Sequence, residues 1–335
     1  MTSASLALPI LDPDLEARLR ARLHDVEAAL ESSVQSEAAF VTAAARHLLQ
    51  AGGKRLRPLL VLLAAETGDA SADGVLTAAC VVELTHLGSL YHDDVMDEAD
   101  LRRGAESANA RWDNLVAILT GDFLFAQSSV LTAELGAEAV RIQAETFARL
   151  VEGQILETLG PGDGEDALAH YLRVVAGKTG SLIATSARYG ARFGGAPLEV
   201  EEALTEYGEK IGLAFQLSDD ILDIASDSDE TGKTPGTDLR EGVPTLPVLL
   251  ARRMSADSTD PADVRLLELL DGDLSERDPH AEALDLLRKH PAMDEARASV
   301  LARAREAQDC LEAVPVGPVR EALDAFAELV ATRSA

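Results

Sequence analysis

From residue 14 to its C-terminal end the chain repeats one signal, an apolar position every three or four residues. Residues 14–31 place Leu15, Leu19, Leu23, Val26 and Leu30 on that spacing with polar residues between them, the pattern of a helix buried along one face. The pattern returns over about 36–50, 75–97, 107–135, 138–159, 166–176, from Lys178 to Gly194, and over 198–227. It continues through 243–335, interrupted by Pro261, Gly272, Pro279, Pro291 and Pro315. Glycine and proline clusters at Gly68–Gly74 and Gly160–Gly164 mark turns. No stretch reads as a convincing strand, and no short-period repeat is present. Aromatic residues make up only 4% of the chain against 47% hydrophobic, so the core is built from Ala, Leu and Val, which favours helices. The expectation is an all-α protein: one large helical bundle around a central cavity, a single domain over 1–335 with residues 1–13 as a flexible tail.

A formal charge of −28 leaves no basic excess to neutralise a phosphate backbone, which excludes nucleic acid as a partner. Basic residues instead gather in small clusters, notably Lys54-Arg55-Leu56-Arg57 and Arg102-Arg103, suited to local anion sites. Cys80 and Cys310 have neither disulfide-framework nor metal-ligand spacing. The first 13 residues lack a basic start and a long apolar run, and no segment reads as the roughly 20 apolar residues of a membrane span. A cytoplasmic protein is expected.

The chemistry gathers at residues 90–104, LYHDDVMDEADLRRG. Asp93, Asp94 and Asp97 stand at i, i+1 and i+4 near the end of a long helix, which would bring three carboxylates into one small volume. Like charges packed together need a cation, and oxygen-only donors suit a hard divalent ion such as Mg²⁺, which bridges carboxylates to substrate phosphates. Taken alone, this stretch fits a solvated acidic helix end equally well. Residues 216–223, QLSDDILD, repeat the geometry with Asp219, Asp220 and Asp223 on a second long helix. If the two helices pack across a bundle, the clusters face one another over a cleft. It would hold roughly two or three Mg²⁺ ions and, through them, a diphosphate. The lining below, rich in Leu, Val, Ala, Gly and Thr, is expected to be apolar, as a hydrocarbon tail requires.

Other segments suit the same ligand. Gly52-Gly53-Lys54-Arg55-Leu56-Arg57-Pro58 ends one helix and starts the next, displaying three cations at a junction where backbone N–H groups also favour an anion. His86 and Ser89 share a helix face with Asp93 and Asp97. Lys178-Thr179-Gly180 would open a helix with an ammonium, a hydroxyl and free N–H groups; it lacks the upstream glycines of a phosphate-binding P-loop.

The chain resembles the trans-isoprenyl diphosphate synthases of the polyprenyl synthetase family. The resemblance rests on GGKRLRP at 52–58, LYHDDVMDEADLRRG at 90–104, GQILE at 153–157, GKTGSL at 177–182, QLSDDILD at 216–223 and GKTPGTDL at 232–239, in the family's order. It implies the isoprenoid-synthase type of all-helical bundle. It also implies condensation of isopentenyl diphosphate with an allylic diphosphate, Mg²⁺ as cofactor and a homodimer. Asp93, Asp94 and Asp97 would then bind Mg²⁺ and the allylic diphosphate, and Asp219, Asp220 and Asp223 a further Mg²⁺. Arg102, Lys178 and Lys233 match contacts to the allylic diphosphate, and Lys54, Arg57, His86 and Arg103 match the isopentenyl diphosphate site. Gln216 matches a contact to the bound substrates, and Thr179 a residue near the reacting carbons.

One departure stands out. The family's GKxTLP pattern reads Gly242-Val243-Pro244-Thr245-Leu246-Pro247 here, with Val243 in place of the lysine, which implies weaker or rearranged diphosphate contacts. In the family, bulk below the first aspartate motif stops the growing chain. Gly88, Ser89 and Thr85 are small, with Leu84 and Val81 deeper, so a deep pit and a medium- or long-chain product are expected. Phe123 and Phe125 on a neighbouring helix are the alternative floor, and Gly88→Phe is expected to shorten the product. Two further readings stay open, a geranylgeranyl diphosphate synthase and a non-catalytic partner subunit of a heteromeric synthase.

Overall fold

The structure is a computed structural model that describes residue 6, residues 8–226 and residues 235–333. It is almost entirely helical, as the periodicity predicts. The described chain divides into two compact units. One comprises Met1–Ala148, Leu182–Gly208 and Cys310–Ala325; the other comprises Arg149–Ser181, Glu209–Asp309 and Phe326–Ala335.

The first unit is laid on α4 (Asp73–Met96), against which α1 (Pro13–Ser33), α3 (Leu56–Ala65) and α6 (Asn114–Glu134) pack. Asp12 caps α1 by accepting from Leu15 N at 2.7 Å, and Pro13 fits the first turn, where no N–H is needed. Every residue of α3 from Pro58 to Ala65 is buried, as is one whole side of α4 from Val75 to Tyr91. Tyr91 keeps its hydroxyl satisfied inside this core by donating to Ala44 O at 2.5 Å in α2 (Ala39–Gln50). Leu8, within the segment expected as a tail, is also buried.

Periodicity misses a break in this unit. The single helix expected over 107–135 is a short α5 (Ala108–Arg111) followed by α6. Ser107 caps the first through Ala110 N, and Asp113 caps the second through Val116 N at 2.8 Å. Side chains that bond the backbone locally end one helix and begin another without disturbing the apolar spacing. Ahead of α5, Leu101–Arg102 (β1) pairs antiparallel with Ala105–Glu106 (β2), a strand pair the sequence reading does not contain. The two-residue loop, Arg103 and Gly104, has φ of +56° and +77°, the left-handed pair a tight hairpin turn requires.

A second correction concerns length and polarity. α4 and α6 are both long and apolar enough to cross a membrane by length and composition. α4 owes this to its place in the core, whereas α6 is buried along one side only and exposes Leu115, Ile118, Leu119 and Val130 on the other.

In the second unit, α8 (Ala167–Val175) passes into a π-helical turn, Ala176–Gly180, and the chain continues directly as α9 (Ser181–Phe193), which from Leu182 on belongs to the first unit. The lower half of α10 (Leu198–Ala225) carries the second aspartate motif, and Leu246–Ser255, Pro261–Leu270, Arg277–Lys289 and Ala292–Cys310 follow as helices. Phe326 and Val330 of the terminal helix Pro318–Thr332 are buried.

Candidate active site

α4 ends where its charge is least comfortable. Carbonyl dipoles make a helix C-terminus negative, yet Asp93 and Asp94 occupy the last turn and Asp97 is the cap residue, its N–H bonded to Asp93 O at 2.8 Å. The three carboxylates differ in their surroundings, although the charge of Asp97 still reaches Asp94. Adjacent residues on a helix point about 100° apart. Asp94 turns inward and is fully buried, while Asp97 is exposed. Asp94 Oδ1 accepts from Arg102 Nε at 2.5 Å, and its buried Oδ2 has no hydrogen-bond partner. Burial raises the Asp94 carboxyl above its usual range, opposed by the bond and charge of Arg102.

The hairpin places the two arginines on different tasks. Arg103 donates to Leu48 O at 3.1 Å and to Gly52 O, which brings it beside the Gly52–Arg57 junction. There the cations separate. Lys54 is exposed, whereas Arg55, with φ of +47°, is buried in ion pairs to Glu83 at 2.9 Å and Glu27 at 2.6 Å and donates to Leu49 O at 2.8 Å. It holds the junction together and is not displayed to a ligand, contrary to the three displayed cations expected. Arg57 is half-buried, and its Nε is buried without a hydrogen-bond partner. Burial lowers its guanidinium to about 10, helped by the charge of Arg103 and opposed by Glu83. Burial and the charges of Arg57, Arg103, Arg55 and Arg102 hold the His86 imidazole well below its usual value, hence neutral at pH 7. Cations that depress one another around an unpartnered guanidinium N–H form a site whose energy falls when a multiply charged anion enters.

Below the motif, Gly88 packs closely against its neighbours. A Cβ at Gly88 would lie 3.0 Å from the Phe125 ring and 3.2 Å from Gly121 O, and the Phe125 and Phe147 ring centroids lie 4.6 Å apart with the rings tilted by 54°. Ser89 bonds His86 O at 2.8 Å, and Leu84 and Thr85 are fully buried. Thr85 is bonded to Ser128 at 2.9 Å and accepts from Gln143 Nε2 at 2.7 Å. A side chain at Gly88 meets Phe125 and Gly121 at its first carbon.

The second motif is built from bonds made at a distance in the chain. Asp220 is 3% exposed and accepts from Tyr171 Oη, Gln216 Nε2 at 3.1 Å and Leu246 N at 3.2 Å. Burial pushes its carboxyl up to about 6 against those three bonds, and the charge of Asp219 pushes the same way. Asp223 accepts from the N–H groups of Thr237 and Asp238, each at 3.2 Å, and its backbone carbonyl accepts from Gly236 N at 2.7 Å. Asp219 is half-exposed and meets Arg333 at 2.8 Å.

Lys178 and Thr179 lie within the π-turn, a distortion often found at functional sites, and not at a helix start, so the free N–H groups expected there do not exist. Lys178 pairs with Glu157 at 2.6 Å, and Thr179 Oγ1 donates to Gln216 Oε1 at 3.3 Å. Gly153 explains its own place in GQILE. A Cβ there would stand 2.6 Å from Lys178 N, so only glycine lets α7 (Ala137–Leu159) approach the π-turn. Lys233 lies outside the described residues. Val243 is surface-exposed, and its N–H bonds Asp238 O at 2.9 Å.

Sequence reasoning missed Tyr171, Glu157 and Arg333. Glu157 was in view within GQILE; nothing in the local pattern around Tyr171 or Arg333 announces their partners.

Among the described residues, no three His, Cys, Asp or Glu side chains form a ready-made metal cluster. The donor set nonetheless fits a hard cation: every candidate ligand is a carboxylate, and the buried Oδ2 of Asp94 lacks a hydrogen-bond partner.

A family model described as "Polyprenyl synthetase" matches residues 38–287. The chain belongs to the polyprenyl synthetase family. It is thus an enzyme that transfers prenyl groups, with the family's all-α fold. It is 46% identical over 323 residues to a nonaprenyl diphosphate synthase of Mycobacterium tuberculosis, covering 96% of this chain and 95% of that protein. A dimethylallyltranstransferase of the same organism is 41% identical, with 92% and 94% covered. The crystal structure of a geranylgeranyl pyrophosphate synthase from Corynebacterium glutamicum, complexed with calcium and isoprenyl diphosphate, superposes with a TM-score of 0.87. It is 43% identical and is covered over 99% of its chain, with 98% of this one. Divalent metal and isoprenyl diphosphate thus occur together on a member of this family.

Proposed function

We propose that this enzyme condenses isopentenyl diphosphate with an allylic diphosphate, head to tail and in trans, to make a medium- or long-chain polyprenyl diphosphate with release of diphosphate. The observation that carries this reading is the basic cluster of Arg57, Arg103 and His86, with its unpartnered Arg57 Nε, in the same unit as Asp93, Asp94 and Asp97. An enzyme that only ionised one diphosphate would have no use for a second anion site.

In this reading Lys54, Arg57, His86 and Arg103 bind the diphosphate of isopentenyl diphosphate, with His86 as a neutral donor. Asp93, Asp94 and Asp97 hold Mg²⁺ and the allylic diphosphate, and Asp219, Asp220 and Asp223 a further ion, roughly two or three in all. Arg102, Lys178 and Lys233 stabilise the departing diphosphate, and Gln216 and Thr179 orient the reacting carbons. Mg²⁺, when bound, neutralises charge on the leaving oxygens. The C–O bond of the allylic substrate breaks, the double bond of isopentenyl diphosphate forms the new C–C bond, and the proton lost passes to the released diphosphate. Fixing both substrates in line accounts for much of the rate.

A homodimer is supported by the exposed Leu115, Ile118, Leu119 and Val130 on α6, an apolar stripe that a second copy would bury. Cys80, a buried free thiol, suits a reducing compartment, which supports the cytoplasm.

The test is the purified chain alone with Mg²⁺, labelled isopentenyl diphosphate and a panel of allylic primers, with products separated by chain length. Medium- or long-chain products support the reading. A geranylgeranyl product shortens it, and no turnover with any primer replaces it with the partner-subunit reading. Sedimentation of the same sample reads the dimer.

A further inference from the structure

The third residue from the C-terminal end reaches the second aspartate motif. Arg333 sits just past the helix Pro318–Thr332, continuing it by an N–H bond to Leu329 O at 3.0 Å. Its guanidinium lies over the face of Phe215, 4.1 Å from the ring centroid. Nε donates to Ser218 Oγ at 2.8 Å, and Nη2 donates to Phe215 O at 2.6 Å and meets Asp219 Oδ1 at 2.8 Å. One turn of α10 thus offers an aromatic face, a carbonyl, a hydroxyl and a carboxylate to a single planar cation, a match to its forked donors that lysine cannot reproduce.

Three of these four contacts do not involve Asp219. The guanidinium is therefore a fixture of α10, and its bond to Asp219 is a fixed donor aimed at a carboxylate that is otherwise half-exposed. Asp220 and Asp223 are each held by fixed donors of their own, Tyr171, Gln216 and Leu246 N for the first and two backbone N–H groups for the second. A carboxylate has about four acceptor positions, so bonding Arg333 at Oδ1 leaves it able to ligate a cation as well.

We propose that Arg333 is a positioning residue for the second aspartate motif, holding Asp219 in the orientation in which it accepts a divalent ion. The proposal rests on the function proposed above. Partners that orient a ligating carboxylate are worth about 10–100-fold in metal affinity. Removing a positive charge without such a role would instead tighten metal binding.

Titration of Mn²⁺ onto the protein in the presence of inorganic diphosphate, with free Mn²⁺ read by electron paramagnetic resonance, measures this without turnover. R333M, which keeps the stem, is expected to weaken the Mn²⁺ site about tenfold, and R333K to recover part of the loss. V330A loosens the same terminal helix without touching Asp219; it is expected to lower Tm and leave Mn²⁺ affinity as in the wild type. In a D219N background R333M should add nothing, because the two act as one unit. Wild-type or tighter Mn²⁺ affinity in R333M overturns the proposal, as does equal weakening by V330A or an additive effect in D219N. If the wild-type protein takes up no Mn²⁺ with diphosphate, the functional reading falls and this inference falls with it.

Discussion

Asp94 and Arg102, eight residues apart, form a partly buried ion pair in which one carboxylate oxygen is bonded at 2.5 Å and the other is buried without a partner. The pair ties the end of α4 to the hairpin that carries Arg103, so the acidic and basic halves of the site are set by one contact. Arg102→Ala strands a buried carboxylate. It is expected to cost roughly 2 kcal/mol, visible as a lower Tm, and to raise KM for both substrates because Arg103 moves with the hairpin. A variant that loses turnover while Tm and the KM for isopentenyl diphosphate are unchanged would confine Arg102 to the allylic diphosphate.

Asp220 sets a pH dependence. Its carboxyl is pushed from 3.8 to about 6 by burial, so between these values the folded state holds more protons than the unfolded chain. Stability from this group is full below pH about 4 and is lost as pH rises through about 6. Asp220→Asn has no proton to lose. In the metal-free protein the wild type should lose stability relative to this variant across that window, by up to about 3 kcal/mol, in parallel thermal melts. A difference that does not change with pH would contradict it.

Tyr171→Phe removes a donor from that same carboxylate. Asp220 should then titrate at higher pH, shifting the acidic limb of the kcat profile upward, with a stability cost of about 1–3 kcal/mol. An unmoved pH profile would make Tyr171 a packing residue only.

Gly88 and Phe125 bear on product length. With the Phe125 ring 3.0 Å from where a Cβ would stand, Gly88→Phe is expected to lower Tm sharply, by overpacking worth about 1–3 kcal/mol or more, before it reports on chain length. Phe125→Ala is the informative change. It removes bulk beside the first motif and should lengthen the product on a chromatogram; unchanged products would place the limit elsewhere.

Gly153→Ala tests the π-turn. Its Cβ would meet Lys178 N at 2.6 Å and force the turn away from α7. Loss of about 1–3 kcal/mol should accompany a fall in kcat, since Lys178 is displaced from Glu157. Lost stability with full activity would separate the turn from the chemistry.

Much of this protein is legible in local pattern. Apolar spacing yields the helices because each helix buries one face, and the residue types of the two aspartate motifs and of Lys54-Arg55-Leu56-Arg57 announce anion and cation chemistry. The hairpin at 101–106 and the break at Trp112 escape that reading because turns and caps are decided by backbone bonds, which apolar spacing does not encode. The sequence by itself determined the helical class and the family's chemistry. Only the tertiary structure decided that Arg55 is a strut while Arg57 has an unpartnered N–H, that Asp94 and Asp220 turn inward, and that Phe125 fills the space beside Gly88. The physical reason is range. Helical faces follow from neighbours three and four residues apart, whereas Tyr171 meets Asp220 across 49 residues and Arg333 meets Ser218 across 115, contacts that exist only once the helices have packed.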